Sequence, residues 1–206
     1  MEQLVDRVKN IVNICWESFS AKVGCGLIVI NKEASMQLQF AYLLKNTLDL
    51  AVYNDDEAVE IELETSLHIE TGYKECDIVV TISKGAEKIH IPIELKCYKQ
   101  FLPNVNATGG YTQFRSLVYH DISLMEQYAS LNNFTNGTCL VMTNFIGIVN
   151  RNVYWLNDIS NGTTIQNGIV SNHNYEDVEP SNIIKNYTFN WIQKNNYYFL
   201  KLEAHD

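Results

Sequence analysis

Two acids and one lysine in the middle of this 206-residue chain have the types and spacing of a hydrolytic metal site. Asp77 opens one apolar run, Glu94 and Lys96 lie near the end of the next, and a turn at Lys84-Gly85 separates the runs. Carboxylate oxygens are the hard ligands that Mg²⁺ prefers. Bound Mg²⁺ polarises a phosphoryl oxygen and acidifies water, and a neighbouring lysine can orient that water or stabilise developing charge. This set of residues indicates metal-dependent cleavage of a phosphodiester bond.

A hairpin predicted over residues 75–98 would bring the three side chains together. Its second run alternates in polarity, so Glu94 and Lys96 fall on one face of a strand. If the two runs pair antiparallel, Asp77 lies beside the end of the second run. Pro92 interrupts the pattern, and proline is disfavoured in central strands. The alternative is that Glu94 and Lys96 form an exposed ion pair and that Asp77 caps a strand.

The pattern of Asp77, sixteen intervening residues and Glu94-Leu95-Lys96 resembles the PD-(D/E)xK nuclease superfamily, which has the restriction-endonuclease-like fold. Cys76 stands where that superfamily usually has proline. The resemblance implies that Asp77, Glu94 and the backbone carbonyl of Leu95 bind the metal and that Lys96 positions or activates water. The implied cofactor is Mg²⁺, with Mn²⁺ as a substitute. The implied activity is hydrolysis of nucleic acid, with DNA a commoner substrate than RNA, so we expect an endodeoxyribonuclease.

Upstream of the hairpin, apolar spacing predicts a helix over 32–48 in which Glu33 and Gln37 share one face. Many members of the superfamily carry an acid on this helix, and Glu33 resembles it. Glu33 therefore joins Asp77, Glu94 and Lys96 as an expected catalytic residue. A glutamate in a first helical turn also interacts favourably with the helix dipole, so a purely structural role is the alternative.

The order of the predicted elements matches the αβββαβ core of the superfamily. Helix 32–48 is followed by strands at 58–69, 77–83 and 88–98, a helix at 111–131 and a strand at 138–146. This pattern predicts an α/β (α+β) fold with a mixed central sheet flanked by helices, and the resemblance covers roughly residues 32–146.

Two further segments extend this core. Residues 3–19 predict an N-terminal helix, and residues 153–206 predict a β extension. The extension ends in an added C-terminal β-hairpin between the runs 187–192 and 197–203. We expect a single nuclease-like domain over 1–206.

Three polar residues around the start of the helix 111–131 are candidates for nucleic-acid binding. Lys99 follows the Glu94-Leu95-Lys96 strand, and Gln113 and Arg115 lie in the first turns of the helix. In the superfamily this part of the chain often lies near the nucleic acid. Simple solvation of a polar helix face is the alternative for Gln113 and Arg115.

The acidic charge of the chain is local. Residues 49–77 hold ten acids and one lysine and so account for the whole net charge of −9, whereas the rest of the chain has 14 acids and 14 bases. The overall charge argues against non-specific nucleic-acid binding, but a neutral remainder leaves room for basic patches. The alternative function is therefore a non-catalytic acidic docking protein, or a partner-dependent subunit, on the same fold.

Partners and compartment follow from what the sequence lacks. It has no helix-turn-helix, zinc-finger or basic-arm pattern, so recognition of a target would come from loops, a homodimer or a separate recognition subunit. The five cysteines include no C-x-x-C pair, and the N-terminal residues do not have the form of a signal peptide. No apolar run reaches membrane-spanning length. We expect an intracellular protein of the reducing cytoplasm, with no membrane partner.

Overall fold

The computed structural model describes residues 1–100, 110–150, 158–166, 169–170 and 181–205, which form a mixed α/β fold. The helices are α1 (Glu2–Gly24), α2 (Glu33–Thr47), α3 (Gly110–Tyr128) and α4 (Ile146–Val149), with a 3₁₀ turn at Leu48–Ala51. The strands are β1 (Glu57–Ile69), β2 (Gly72–Lys84), β3 (Glu87–Tyr98), β4 (Thr138–Thr143), β5 (Thr164–Ile165), β6 (Ile169–Val170), β7 (Asn182–Ile183), β8 (Tyr187–Thr188), β9 (Ile192–Lys194) and β10 (Tyr197–Leu202). None of the helices in these ranges has the length and apolar character of a membrane-spanning segment.

Six of the described strands form one mostly antiparallel sheet in the order β1-β2-β3-β4-β10-β9. Strands β1, β2 and β3 form an antiparallel meander. Strand β4 runs parallel to β3, because α3 connects them and parallel neighbours need such a crossover. The C-terminal hairpin adds β10 antiparallel to β4. Strand β3 therefore lies inside the sheet, with a hydrogen-bonded neighbour on each edge.

The elements predicted over 32–146 are found in the predicted order as α2, β1, β2, β3, α3 and β4. The N-terminal helix is also confirmed, although α1 is longer than predicted. The prediction of one strand over 187–192 is wrong, because β8 pairs with β5 and only β9 pairs with β10 in the terminal hairpin. Residues 153–157, 167–168, 171–180 and 206 of the predicted β extension lie outside the described residues.

Apolar side chains pack on both faces of the sheet. On one face α1 and α2 cover Val80, Ile93 and Leu95, and on the other α3 and the C-terminal strands cover Val79 and Val141. All five side chains are at most 2% exposed, and burying each one contributes roughly 1.5–3 kcal/mol. The sheet is thus the middle layer of three, and helices cover β3 from both sides.

Pro92 fits in this central strand because β4 begins only opposite Ile93. Before that point β3 pairs with the loop that precedes β4. The His90 N–H donates to the Asn133 carbonyl, and the His90 carbonyl accepts from the Thr135 N–H. Strand residues two apart direct their N–H groups to the same edge, so an N–H at position 92 would face β4, as that of His90 faces the preceding loop. Position 92 lies between the His90 hydrogen bonds and the start of the β3–β4 ladder at Ile93. Proline at this position therefore costs no ladder hydrogen bond.

Gly137 packs where α3 and β3 approach each other closely. A Cβ at this position would overlap the Met125 methyl group and the Pro92 carbonyl oxygen, and that carbonyl cannot move without shifting β3. We expect Gly137→Ala to lower the free energy of unfolding by roughly 1–3 kcal/mol in urea denaturation. Gly110→Ala is the control, because its Cβ would lie 3.5 Å from a Tyr98 ring carbon, an ordinary contact. Equal losses in both variants would contradict this account of Gly137.

Candidate active site

The paired part of the β2–β3 hairpin ends at Ile78 and Ile93. One residue beyond, the Asp77 carboxylate replaces the missing strand partner, because its Oδ2 accepts the Leu95 N–H at 2.7 Å. The N–H and C=O of a strand residue point to the same edge, so the Leu95 carbonyl faces the same side as Asp77. The structure thus brings Asp77 beside the end of β3 that carries Glu94 and Lys96.

Glu94 is a buried carboxylate on the face of β3 that α3 covers. It is only 4% exposed, and its Oε1 has no hydrogen-bond partner among the described residues. Burial raises the pKa of Glu94 well above its ordinary value, and the negative charges of Asp121 and Asp77 raise the pKa further. A buried, unsatisfied carboxylate oxygen is costly to a folded protein unless a cation or donor occupies the space beside it.

Lys96 extends its ammonium group between two carboxylates from different helices. Its Nζ lies 3.3 Å from Glu33 Oε1 and 3.3 Å from Asp121 Oδ2. The other Glu33 oxygen accepts the Cys97 N–H at 3.0 Å, so the first turn of α2 is tied to the end of β3. The structure therefore brings Glu33 into the same cluster as Asp77, Glu94 and Lys96.

Asp121 is the member of this cluster that the sequence reasoning missed. It lies on α3 at 4% exposure, on the stripe that also carries Phe114, Val118 and Met125. An acid at the helical spacing of an apolar stripe is the signal that could have indicated it. Its pKa is raised to about 7, chiefly by burial, although the Lys96 charge opposes this shift.

The cluster carries an excess of negative charge. When Glu33, Asp77, Glu94 and Asp121 are all ionised, Lys96 is the one cation among the described residues that pairs with members of this cluster. Burial alone would lower the pKa of Lys96, but the four carboxylates outweigh burial and raise it. The pKa of Asp77 is also raised, mainly by burial. Such a cluster favours binding of a further cation.

Gln37 supports this cluster from α2. Its side-chain Nε2 donates to Glu64 Oε1 at 2.6 Å and to the Asp77 carbonyl at 2.9 Å. Glu64 is exposed on β1 opposite Asp77, and its φ of 52° lies in the left-handed region. Gln37 therefore holds the backbone of Asp77 in place, and this glutamine is one turn after Glu33 on the same helix.

The three nucleic-acid-binding candidates have different surroundings. Lys99 Nζ donates to the Ile30 carbonyl at 2.6 Å, just beyond the end of β3. Gln113 is exposed in the first turn of α3. Arg115 is only 2% exposed, and its Nη2 donates to the Gly147 carbonyl. Only Gln113 of the three combines exposure with a position at the helix start, whereas the fold encloses the Arg115 guanidinium.

The donor set fits a hard divalent cation that keeps several of its waters. Among the described residues, no group of three or more His, Cys, Asp or Glu side chains is placed to hold a metal ion. Mg²⁺ does not need one, because it typically uses one or two carboxylates together with water and substrate phosphate. Asp77 and Glu94 can supply those carboxylates, since Glu94 Oε1 accepts no hydrogen bond of ordinary geometry from the described residues, although Asp77 and the Tyr128 hydroxyl interact with this carboxyl.

No protein-family model matches this chain, and neither a curated protein nor a solved structure matches it significantly. The chemistry of the cluster therefore has to be inferred from its own residues and distances.

The raised carboxyl pKa values predict how stability depends on pH in metal-free protein. A carboxyl whose folded-state pKa exceeds its unfolded value binds more protons in the folded state, so its contribution to stability is lost as pH rises through the folded value. For Asp121 the ordinary pKa value of 3.8 is raised to about 7, so we expect its contribution to the free energy of unfolding to fall as pH rises from about 4 and to level off just above about pH 7. Urea denaturation in the presence of a chelator measures this.

The variant Asp121→Asn isolates this effect, since it removes one of the titrating groups and should flatten the fall. His90 has a lowered pKa, mainly because of burial, and therefore acts in the opposite direction near its ordinary value. Glu57 has a strongly lowered pKa, chiefly from the Tyr53 N–H, and stays ionised across this range. An equal pH slope in the wild type and in Asp121→Asn would contradict the prediction.

Proposed function

We propose that this protein is a Mg²⁺-dependent nuclease that hydrolyses phosphodiester bonds, with DNA as its preferred substrate. Mn²⁺ is expected to replace Mg²⁺. The observation that carries the proposal is the buried Glu94 carboxylate, which has an unpartnered oxygen and lies beside Asp77 and Lys96 at the end of a central strand.

The topology supports the finer proposal of a restriction-endonuclease-like core. Strands β1, β2 and β3 follow α2 as an antiparallel meander, and α3 then leads to β4, parallel to β3. This is the αβββαβ order of the PD-(D/E)xK superfamily that the Asp77 and Glu94-Leu95-Lys96 pattern resembles. The sequence pattern and the topology both support the same core.

Each residue of the cluster has a defined task in this proposal. Asp77 and Glu94 would hold the cation, together with the Leu95 carbonyl. When bound, Mg²⁺ supplies polarisation of the phosphoryl oxygen and a more acidic water. Lys96, kept positively charged by the surrounding carboxylates, orients the attacking water and stabilises negative charge on the phosphate. Glu33 holds the Lys96 ammonium and the Cys97 N–H at the end of β3.

A cleavage assay tests the proposal. The purified protein is incubated with double- and single-stranded DNA and RNA in the presence of Mg²⁺, Mn²⁺ or a chelator, beside Asp77→Ala and Glu203→Gln. Glu203 is a matched acid that bonds Lys201 and Thr138, away from the cluster. We expect metal-dependent cutting that Asp77→Ala loses and Glu203→Gln keeps. Cutting by Asp77→Ala at the wild-type rate, or wild-type cutting in chelator, would refute the proposed mechanism.

A second candidate is a non-catalytic docking protein that binds a basic partner. Strand β1 is an edge of the sheet, and it exposes Glu60, Glu62 and Glu64. Charged side chains on an edge strand also prevent unwanted strand pairing, which is their simpler role. A salt-sensitive complex with a basic protein, lost when Glu60 and Glu62 are replaced by glutamine, would favour this function.

A further inference from the structure

We propose that Asp121 is a positioning residue that fixes the Lys96 ammonium beside the Asp77–Glu94 end of the hairpin, an inference that rests on the proposed nuclease function. Asp121 Oδ2 on α3 lies 3.3 Å from Lys96 Nζ. Glu33 Oε1 on α2, the helix that covers the other face of the sheet, lies at the same distance from that Nζ. The ammonium is therefore held from two sides by carboxylates on two different helices.

The two carboxylates are not equivalent as tethers. The Glu33 side chain is 39% exposed, whereas the Asp121 side chain is 5% exposed. Water and salt weaken an exposed ion pair until it contributes little, whereas a buried pair keeps its strength and is costly to break. Glu33 also shares its charge with the Cys97 N–H. Solvent therefore screens the Lys96–Asp121 ion pair less than the Lys96–Glu33 pair, although Glu33 is the one that accepts a hydrogen bond from Lys96 Nζ.

The position of Asp121 itself is set by the packing of α3. Val118, Ile122 and Met125 surround it along the helix, and all three are at most 5% exposed. A lysine side chain, by contrast, rotates about several bonds and loses much entropy when it is fixed. Without Asp121, the ammonium would be held from one side only, by Glu33, and could turn toward Asp77 or Glu94 and occupy the space that a cation needs. Asp121 thus keeps the lysine near the reacting phosphate and away from the metal ligands.

Nuclear magnetic resonance of the lysine ¹⁵Nζ groups tests this positioning without any need for activity. In the wild type we expect a slowly exchanging Lys96 ammonium signal, assigned by its disappearance in Lys96→Arg. In Asp121→Asn its protons should exchange about tenfold faster or more, because one of the two ion pairs that hold the ammonium is lost. The control is Glu126→Gln on the same helix, because Glu126 is also buried and bonds Ile184 and Lys185 instead. A wild type without a protected Lys96 signal, or an unchanged signal in Asp121→Asn, would overturn the proposal.

Kinetics and metal-binding measurements distinguish a positioning role of Asp121 from a role as a metal ligand and from no role in cleavage. We expect Asp121→Asn to lower kcat by about 10- to 100-fold, the cost of a misplaced group, while KM and the Mn²⁺ affinity change little. Loss of Mn²⁺ binding as complete as in Asp77→Asn would make Asp121 a metal ligand and overturn the proposal, and so would an unchanged kcat. If the wild type cleaves no nucleic acid, the proposed function fails, whereas the lysine signal still decides whether Asp121 fixes Lys96.

Discussion

Lys96→Met is expected to lower the rate of phosphodiester cleavage by about 10²- to 10⁴-fold, the range for removal of a group that acts on the transition state. Methionine keeps most of the apolar length of lysine but has no charge and no donor. The side chain at this position is 14% exposed, so the methionine stays inside the cluster. Single-turnover cleavage at saturating Mg²⁺ measures the loss.

Lys99→Met is the matched control for this variant. Lys99 lies three residues later in the chain and donates to the Ile30 carbonyl outside the cluster. We expect it to lower affinity for nucleic acid at most, with the cleavage rate of bound substrate kept. A Lys96→Met enzyme that cleaves bound substrate at the wild-type rate would show that this lysine has no part in the chemical step.

Glu94→Gln is expected to have two opposite effects: it abolishes cleavage and Mg²⁺ binding, and it stabilises the metal-free protein at pH 8. The stabilisation should be about 1–3 kcal/mol, because the substitution removes a buried negative charge, which costs at least as much as an unpaired polar group. Glutamine has nearly the same shape but no charge, so the repulsion from Asp77 and Asp121 disappears. Chemical denaturation at pH 8 with a chelator measures the difference.

Glu126→Gln again provides the comparison, because it changes a buried glutamate whose oxygens are fully used. Glu126 accepts hydrogen bonds from the backbone N–H groups of Ile184 and Lys185 and from the Tyr187 hydroxyl. Its replacement weakens charge-assisted hydrogen bonds and should destabilise the protein. If Glu94→Gln destabilises the metal-free protein as Glu126→Gln does, Glu94 is a structural carboxylate and the metal-site account is wrong.

The sequence alone predicts the order of the elements and the residues that meet at the end of the β2–β3 hairpin, because the alternation of side chains along a strand is a local property. The period of two placed Glu94 and Lys96 on one face, and the turn at Lys84-Gly85 placed Asp77 next to them. The position of Glu33 at the start of α2 was likewise readable as a helix start. These predictions needed no knowledge of which helix covers which face of the sheet.

The burial of the cluster was not accessible in this way. The sequence leaves Arg115 on a solvated polar face of the helix as one alternative, but α3 is covered on a second side by the C-terminal part of the chain. The Tyr119 ring stacks on Phe189 at 6.2 Å, and the Arg115 guanidinium donates to the Gly147 carbonyl. Such packing joins segments that are far apart in sequence. The spacing of apolar residues within α3 therefore cannot predict it.

The proposed chemistry depends on a divalent cation that binds between Asp77 and Glu94, at the end of the β2–β3 hairpin. The most direct measurement is a Mn²⁺ titration at neutral pH, followed by electron paramagnetic resonance of the free ion, for the wild type, Asp77→Asn and Lys96→Met. We predict saturable binding by the wild type and by Lys96→Met, and loss of that binding in Asp77→Asn. Equal binding by the wild type and Asp77→Asn, or no binding by the wild type, would contradict the assignment of this cluster as a metal site.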